Sequence, residues 1–97
     1  MKHFHRTHLP PERVLAAADE FFPTIGLAPG ATGARTRGWS GPIGSMTLTV
    51  KAEGGHYTFI DVDTDQMGES RLDRNVKKFF VRLHRMSNPS HRLSAAF

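Results

Sequence analysis

The chain has 97 residues, of which 38% are hydrophobic and 23% charged, a composition that fits one globular domain, leaves no room for a second and excludes a disordered polymer. It contains no cysteine, which rules out disulfides, thiol catalysis and cysteine-ligated zinc and fits a reducing compartment. Thirteen Lys and Arg against nine Asp and Glu give a formal net charge of +4, which permits an acidic partner such as nucleic acid, an anionic membrane surface or an acidic protein.

Residues 2–8 alternate weakly and predict a short strand. The Met1–Arg6 segment has a positive end but no apolar stretch behind it, so it is not a secretory signal. No run approaches the ~20 apolar residues of a transmembrane segment, and a cytoplasmic location is expected. Pro10-Pro11-Glu12 reads as a helix start, because proline is tolerated in the first turn and Glu12 suits the positive helix end. Val14, Ala18, Phe21, Phe22 and Ile25 follow at helical spacing. Pro23, Gly26 and Pro29-Gly30 predict the stop.

Residues 28–45 hold most of the glycine, and one irregular strand is expected around Arg35–Trp39. Met46, Leu48 and Val50 then alternate with Thr47, Thr49 and Lys51 as a half-buried strand. Glu53-Gly54-Gly55 is a hairpin signal, and His56–Asp63 is rich in aromatic and β-branched residues, as strands are. A last helix is predicted from Ser70, its N-cap, to Met86, with Leu72, Val76, Phe79, Phe80, Leu83 and Met86 as the apolar stripe and Asn88-Pro89 as the stop. The result is an α+β domain over residues 1–89, with 90–97 as a C-terminal tail. Its order is β-α-β-β-β-α, an antiparallel sheet of three to four strands with both helices on one face.

The segment Leu9-Pro10-Pro11-Glu12-Arg13-Val14 resembles the start of START-like (SRPBCC, helix-grip) domains, where a short strand leads into a helix through Pro-Pro-Glu. The order of elements further resembles small polyhydroxyalkanoate-granule-associated domains. The resemblance implies a sheet gripped against a long final helix and, by analogy with full START-like domains, an apolar ligand between them. It carries over no functional residues.

Two surfaces stand out as candidate sites. At ~100° per residue, Arg71, Arg74, Lys78, Arg82 and Arg85 fall in one stripe of the last helix, away from its apolar face. The functional reading is an anion-binding face; the commoner explanation of such a row is a solvated helix face. Counter-charge is expected from Asp61, Asp63, Asp65 and Glu69. The second surface is the sheet face turned away from the helices. Tyr57 and Phe59 are expected there, joined by Arg35, Arg37 and Trp39, as a partner-covered interface or a base-stacking platform.

Other signals are weaker. Asp61-Val62-Asp63-Thr64-Asp65 has the first half of a calcium-loop spacing, but Gln66 replaces the turn glycine and Leu72 the bidentate Glu. His3 and His5 share a strand face without further ligands, and His8 falls on the other. No nucleophile elbow, phosphate-binding loop or metalloprotease spacing is present. No catalytic residue, metal or cofactor is therefore implied. The leading expectation is a non-catalytic interaction module, acting as a homo-oligomer or as an accessory subunit. A nucleic-acid-binding domain and a small apolar-ligand binder are the alternatives.

Overall fold

The computed structural model describes residues 1–54 and 56–87. The Asn88-Pro89 stop and the tail at 90–97 lie outside the described residues. In chain order the elements are β1 (Lys2–Thr7), α1 (Pro11–Phe21), a 3-10 turn (Phe22–Ile25), β2 (Ala28–Thr32), β3 (Thr36–Gly41), β4 (Gly44–Glu53), β5 (Tyr57–Thr64) and α2 (Arg71–Ser87). The strands form one antiparallel sheet in the order β1-β5-β4-β3-β2.

The sheet has five strands rather than three or four, because the glycine-rich stretch is a hairpin of two. β2 escapes prediction because Ala28–Thr32 has no apolar alternation and is exposed throughout. It is held by its pairing with β3, and that pairing shifts register between Pro29 and Thr32. A proline and an irregular register are what an edge strand tolerates.

The β3–β4 turn depends on glycine. Gly44 has φ +131°, and a Cβ there would come within 2.7 Å of Asp65 Oδ1 and 3.0 Å of Leu72. A Cβ on Gly41 would meet the Gly26 carbonyl at 2.6 Å. The chain therefore turns between residues 41 and 44 in a space that admits no side chain at either position.

Both helices cover one face of the sheet. α1 starts at Pro11, with the Arg13 and Val14 N–H groups both donating to the Pro10 carbonyl. Pro23 ends it in the 3-10 turn, which Gly26 closes at φ 89°. Met46, Leu48 and Val50 of β4 and Ile60 and Val62 of β5 meet Val14, Ala18 and Phe22 from the first helical segment and Leu72, Val76, Phe79 and Leu83 from α2. Nearly all are fully buried, and Phe22 and Phe79 are the largest of them. The expected apolar stripes are the buried faces, with Phe21, Ile25, Phe80 and Met86 half-buried at the margins.

The start of α2 carries a buried charge. Asp73 is wholly inaccessible to solvent, and its carboxylate accepts four hydrogen bonds. His3 Nε2 (2.8 Å) and Thr64 Oγ1 (2.7 Å) donate to one oxygen; Gly68 N–H (2.9 Å) and Ser70 Oγ (2.8 Å) donate to the other. In return the Asp73 N–H donates to Ser70 Oγ at 3.0 Å, completing the N-cap. Burial alone raises the carboxyl pKa, but the hydrogen bonds from His3, Thr64, Ser70 and Gly68 outweigh it and hold the group well below the usual carboxylate range.

Asp73→Ala should cost about 3 kcal/mol, because it strands the donors that now converge on the carboxylate. A depressed carboxyl pKa adds stability above the unfolded-state value of about 4 and loses it as pH falls below that. The wild-type urea midpoint should therefore fall steeply from pH 5 to pH 3, and Asp73→Asn should flatten that limb while lowering the midpoint at pH 7.

Candidate interaction surfaces

The five cations of the expected row, Arg71, Arg74, Lys78, Arg82 and Arg85, are all exposed. They line two grooves where α2 passes the end of α1 and the 3-10 turn. One, of about 690 Å3, has an apolar floor of Phe21, Val81 and Met86 rimmed by Lys78, Arg82 and Arg85. The other, of about 550 Å3, is lined by Arg71, Arg74 and Lys78 with Thr24, Ile25 and Asn75. Lys78 belongs to both, so the grooves share one cationic border.

The counter-charges differ from expectation. Glu20 of α1 faces Arg82 at 3.7 Å. Glu69 pairs with Lys77 at 3.0 Å, and hydrogen bonding and attraction from Lys77, with a smaller contribution from Arg74, hold its carboxyl below its ordinary value. Asp61 and Asp63 lie on the far face of the sheet, because β5 alternates and Ile60 and Val62 point to the helices. Asp65 accepts from Gln66 Nε2 (2.8 Å) and the Ser45 N–H (2.9 Å) and caps the β3–β4 turn instead. Among the described residues Arg71, Arg74, Lys78 and Arg85 have no carboxylate within 4.0 Å.

The outer sheet face is built differently from the one expected. Tyr57 and Phe59 do point outward, but Trp39 does not. The turn at 41–44 pairs Trp39 with Met46 and Arg37 with Leu48, and cross-strand partners share a face. Trp39 is thus buried and packs on Phe22 at 4.9 Å. Arg37 reaches Asp19 of α1 at 3.2 Å and the carbonyls of Gly33 (2.7 Å) and Thr36 (3.1 Å). Arg35 is an exposed residue of the β2–β3 turn, and its carbonyl accepts from the Val50 N–H. None of these three joins Tyr57 and Phe59.

Phe4 and Arg6 of β1 take their place. Phe4 stacks on Phe59 at 5.6 Å, the Arg6 guanidinium lies 4.9 Å above the Phe59 ring and pairs with Glu53 at 3.0 Å, and His8 packs on Tyr57 at 4.6 Å. Their signal was the placement of His3 and His5 on one face of β1, which leaves Phe4 and Arg6 on the other.

The histidines divide. His3 is spent on Asp73. His5 stacks on Phe80 at 4.9 Å, and its pKa is lowered by burial and by the neighbouring His84. Among the described residues no three His, Asp or Glu side chains gather to hold a metal ion. Thr64, Asp73 and His3 are the residue types of a hydrolytic triad, but Thr64 donates to Asp73 and not to the imidazole. Its hydroxyl has no base, and the group is sealed from solvent. No helix among the described residues is long and apolar enough to cross a membrane.

No family model matches the chain, and no curated protein is detectably similar to it.

Trp39 is the single tryptophan. Its emission should be blue and shielded from iodide in the native protein, and Trp39→Ala should lose about 3–5 kcal/mol in chemical denaturation, as a large core truncation does. For His5 the folded pKa lies below the ordinary 6.5, so folding becomes less favourable as pH falls through that value. His5→Phe should remove this slope from the dependence of Tm on pH between 7 and 5.

Proposed function

We propose that the protein is a non-catalytic interaction module that docks an acidic protein surface along α2. The observation that carries this is the row Arg71, Arg74, Lys78, Arg82 and Arg85, exposed along two grooves, with Glu20 the one carboxylate within 4.0 Å of it among the described residues. A row of like charges held on a helix repels itself, and an anionic partner relieves that repulsion. The apolar floor of Phe21, Val81 and Met86 supplies a short-range anchor beside the charges, as grooves that accept amphipathic helices do.

Nucleic acid fits less well. Among the described residues the most exposed rings, Phe4 and Tyr57, lie on the outer sheet face, whereas the cations lie on the far side of the helices that cover the inner one, with only the half-buried Phe21 in the floor of their groove. A single strand following one surface does not reach the other, whereas single-strand binders combine stacking and phosphate contacts in one groove. The START-like resemblance suggests an apolar ligand between sheet and helix, but Phe22, Phe79, Leu48 and Ile60 fill that layer.

The test is a titration of the labelled full chain with a helical peptide bearing Glu on one flank and Leu at i, i+4 and i+7, and with a single-stranded RNA. Peptide binding that weakens with salt and drops roughly tenfold or more in Arg71→Glu/Arg74→Glu/Lys78→Glu supports the docking surface. Tighter binding of RNA, with a steeper salt dependence, would transfer the surface to nucleic acid.

A further inference from the structure

A second surface, independent of α2, is the outer face of the sheet, which no described element covers. Its side chains fall in rows fixed by the strand register. Phe4, Asp61, Thr49 and Thr36 form one row across the sheet, and Arg6, Phe59 and Lys51 form the next. A third, beyond the first, holds Lys2, Asp63 and Thr47, and Tyr57 and Glu53 lie beyond the second.

Three features mark this face as unfinished. Phe4 is 57% exposed and Tyr57 47%. Asp61 Oδ1 is shielded from solvent yet has no hydrogen-bond partner, a costly state for a carboxylate oxygen. Lys51 is exposed with no carboxylate within 4.0 Å among the described residues. The face as a whole is neutral, with Lys2, Arg6 and Lys51 against Glu53, Asp61 and Asp63. Its charge is unevenly placed: Asp61 and Asp63 outweigh Lys2 toward one end of the strands, and Arg6 and Lys51 outweigh Glu53 toward the other.

We propose that this face is the interface of a symmetric homodimer, in which the Phe4–Asp61 row of one copy lies over the Arg6–Phe59–Lys51 row of the other. A two-fold axis lying in the interface, across the strands and between those rows, achieves this for both copies at once, as an isologous contact requires. Asp61 then lies over Phe59 of the second copy, flanked one strand away on either side by its Lys51 and Arg6, whose long side chains bring a donor to the unpartnered oxygen. Phe4 packs against the Arg6 guanidinium of the second copy, a contact that is stronger once desolvated. Self-association through α2 would instead oppose two rows of cations. Edge pairing through β2 is disfavoured by Pro29 and its broken register.

The area sets the strength. Five strands at ~4.8 Å spacing and about six residues at ~3.3 Å cover on the order of 500 Å2 per copy. That is below the ~800 Å2 per partner of a standard interface, so a weak dimer that dissociates on dilution is expected.

The experiment measures the mass of the full chain by sedimentation equilibrium from ~5 µM to ~1 mM, with no acidic ligand present, so that its result is separate from the α2 reading. Two charge-reversal variants are compared: Asp61→Lys/Asp63→Lys, and Arg6→Glu/Lys51→Glu. Wild type should move from one chain mass to two across this range, each variant alone should stay at one, and an equimolar mixture of the two should regain two. These substitutions are on the surface, and circular dichroism checks that each variant is folded. Should either variant not fold, amide shifts of the wild type on dilution provide the second readout. Changes centred on Phe4, Thr49, Phe59 and Asp61 support the interface, and changes centred on α2 overturn it. A wild-type chain that stays monomeric to ~1 mM, a dimer that survives both reversals, or a mixture that stays monomeric would each refute the proposal.

Discussion

The Asp73 carboxylate ties together the elements on which the two-layer arrangement depends. Through His3 it holds β1, through Thr64 it holds β5, and through Ser70 and Gly68 it sets where α2 begins. An ionised group in an apolar layer is tolerable only with its lone pairs occupied, and here each oxygen accepts two hydrogen bonds. The arrangement is therefore all-or-none in character. It aligns α2 over β1 and β5 and so decides which arc of the helix faces out. The cationic row is exposed, and the opposite arc is buried, because the helix start cannot rotate without breaking those contacts.

With the helices fixed on one face, the sheet has two sides of opposite character. The inner side is an aliphatic and aromatic layer closed by Phe22, Trp39 and Phe79. The outer side is a mosaic of threonine, charge and a few rings. Net positive charge is concentrated on α2, while the outer face is neutral. On the proposals made above, the two exposed surfaces would take different partners on electrostatic grounds: a row of like charge repels a copy of itself and attracts acid, whereas a face with both signs can oppose its own copy. A module that paired through one face and docked through the other would present two equivalent cationic rows, and two modest contacts to one multivalent partner would reinforce each other.

Much of the fold was legible where periodicity was strong. The alternation Met46–Lys51, the α2 stripe and the Pro-Pro-Glu helix start all correspond to elements within a residue or two. The failures lie in the glycine-rich stretch. β2 has no apolar face to betray it, since its contribution is backbone pairing at an edge. Trp39 was assigned to the wrong face because parity does not carry across an irregular segment; it has to be counted from the turn, where residues 41 and 44 pair and so place 39 opposite 46. Asp73 stands three residues after the N-cap Ser70. It falls at i−3 from Val76 and i−7 from Phe80, inside the apolar arc, and a charged residue there is a signal of a buried polar contact. The α2 row could be read in full, while the outer-face group could not, because Phe4 and Arg6 reach Asp61 and Phe59 only through the pairing of β1 with β5, far along the chain.

The long separation between His3 and Asp73, 70 positions along the chain, has a consequence for how the molecule comes into being. β1 is made first but has its lateral neighbour, β5, and its covering helix at the other end of the chain. While the intervening hairpins emerge from the ribosome, at roughly 5–20 residues per second, the β1 segment has neither pairing partner nor shelter. α1 and the β2–β5 meander can begin to associate from local contacts in the meantime. Within this domain the first strand is thus the last to be secured, and Phe4 stays unpaired for the seconds that the β5 and α2 segments take to follow it.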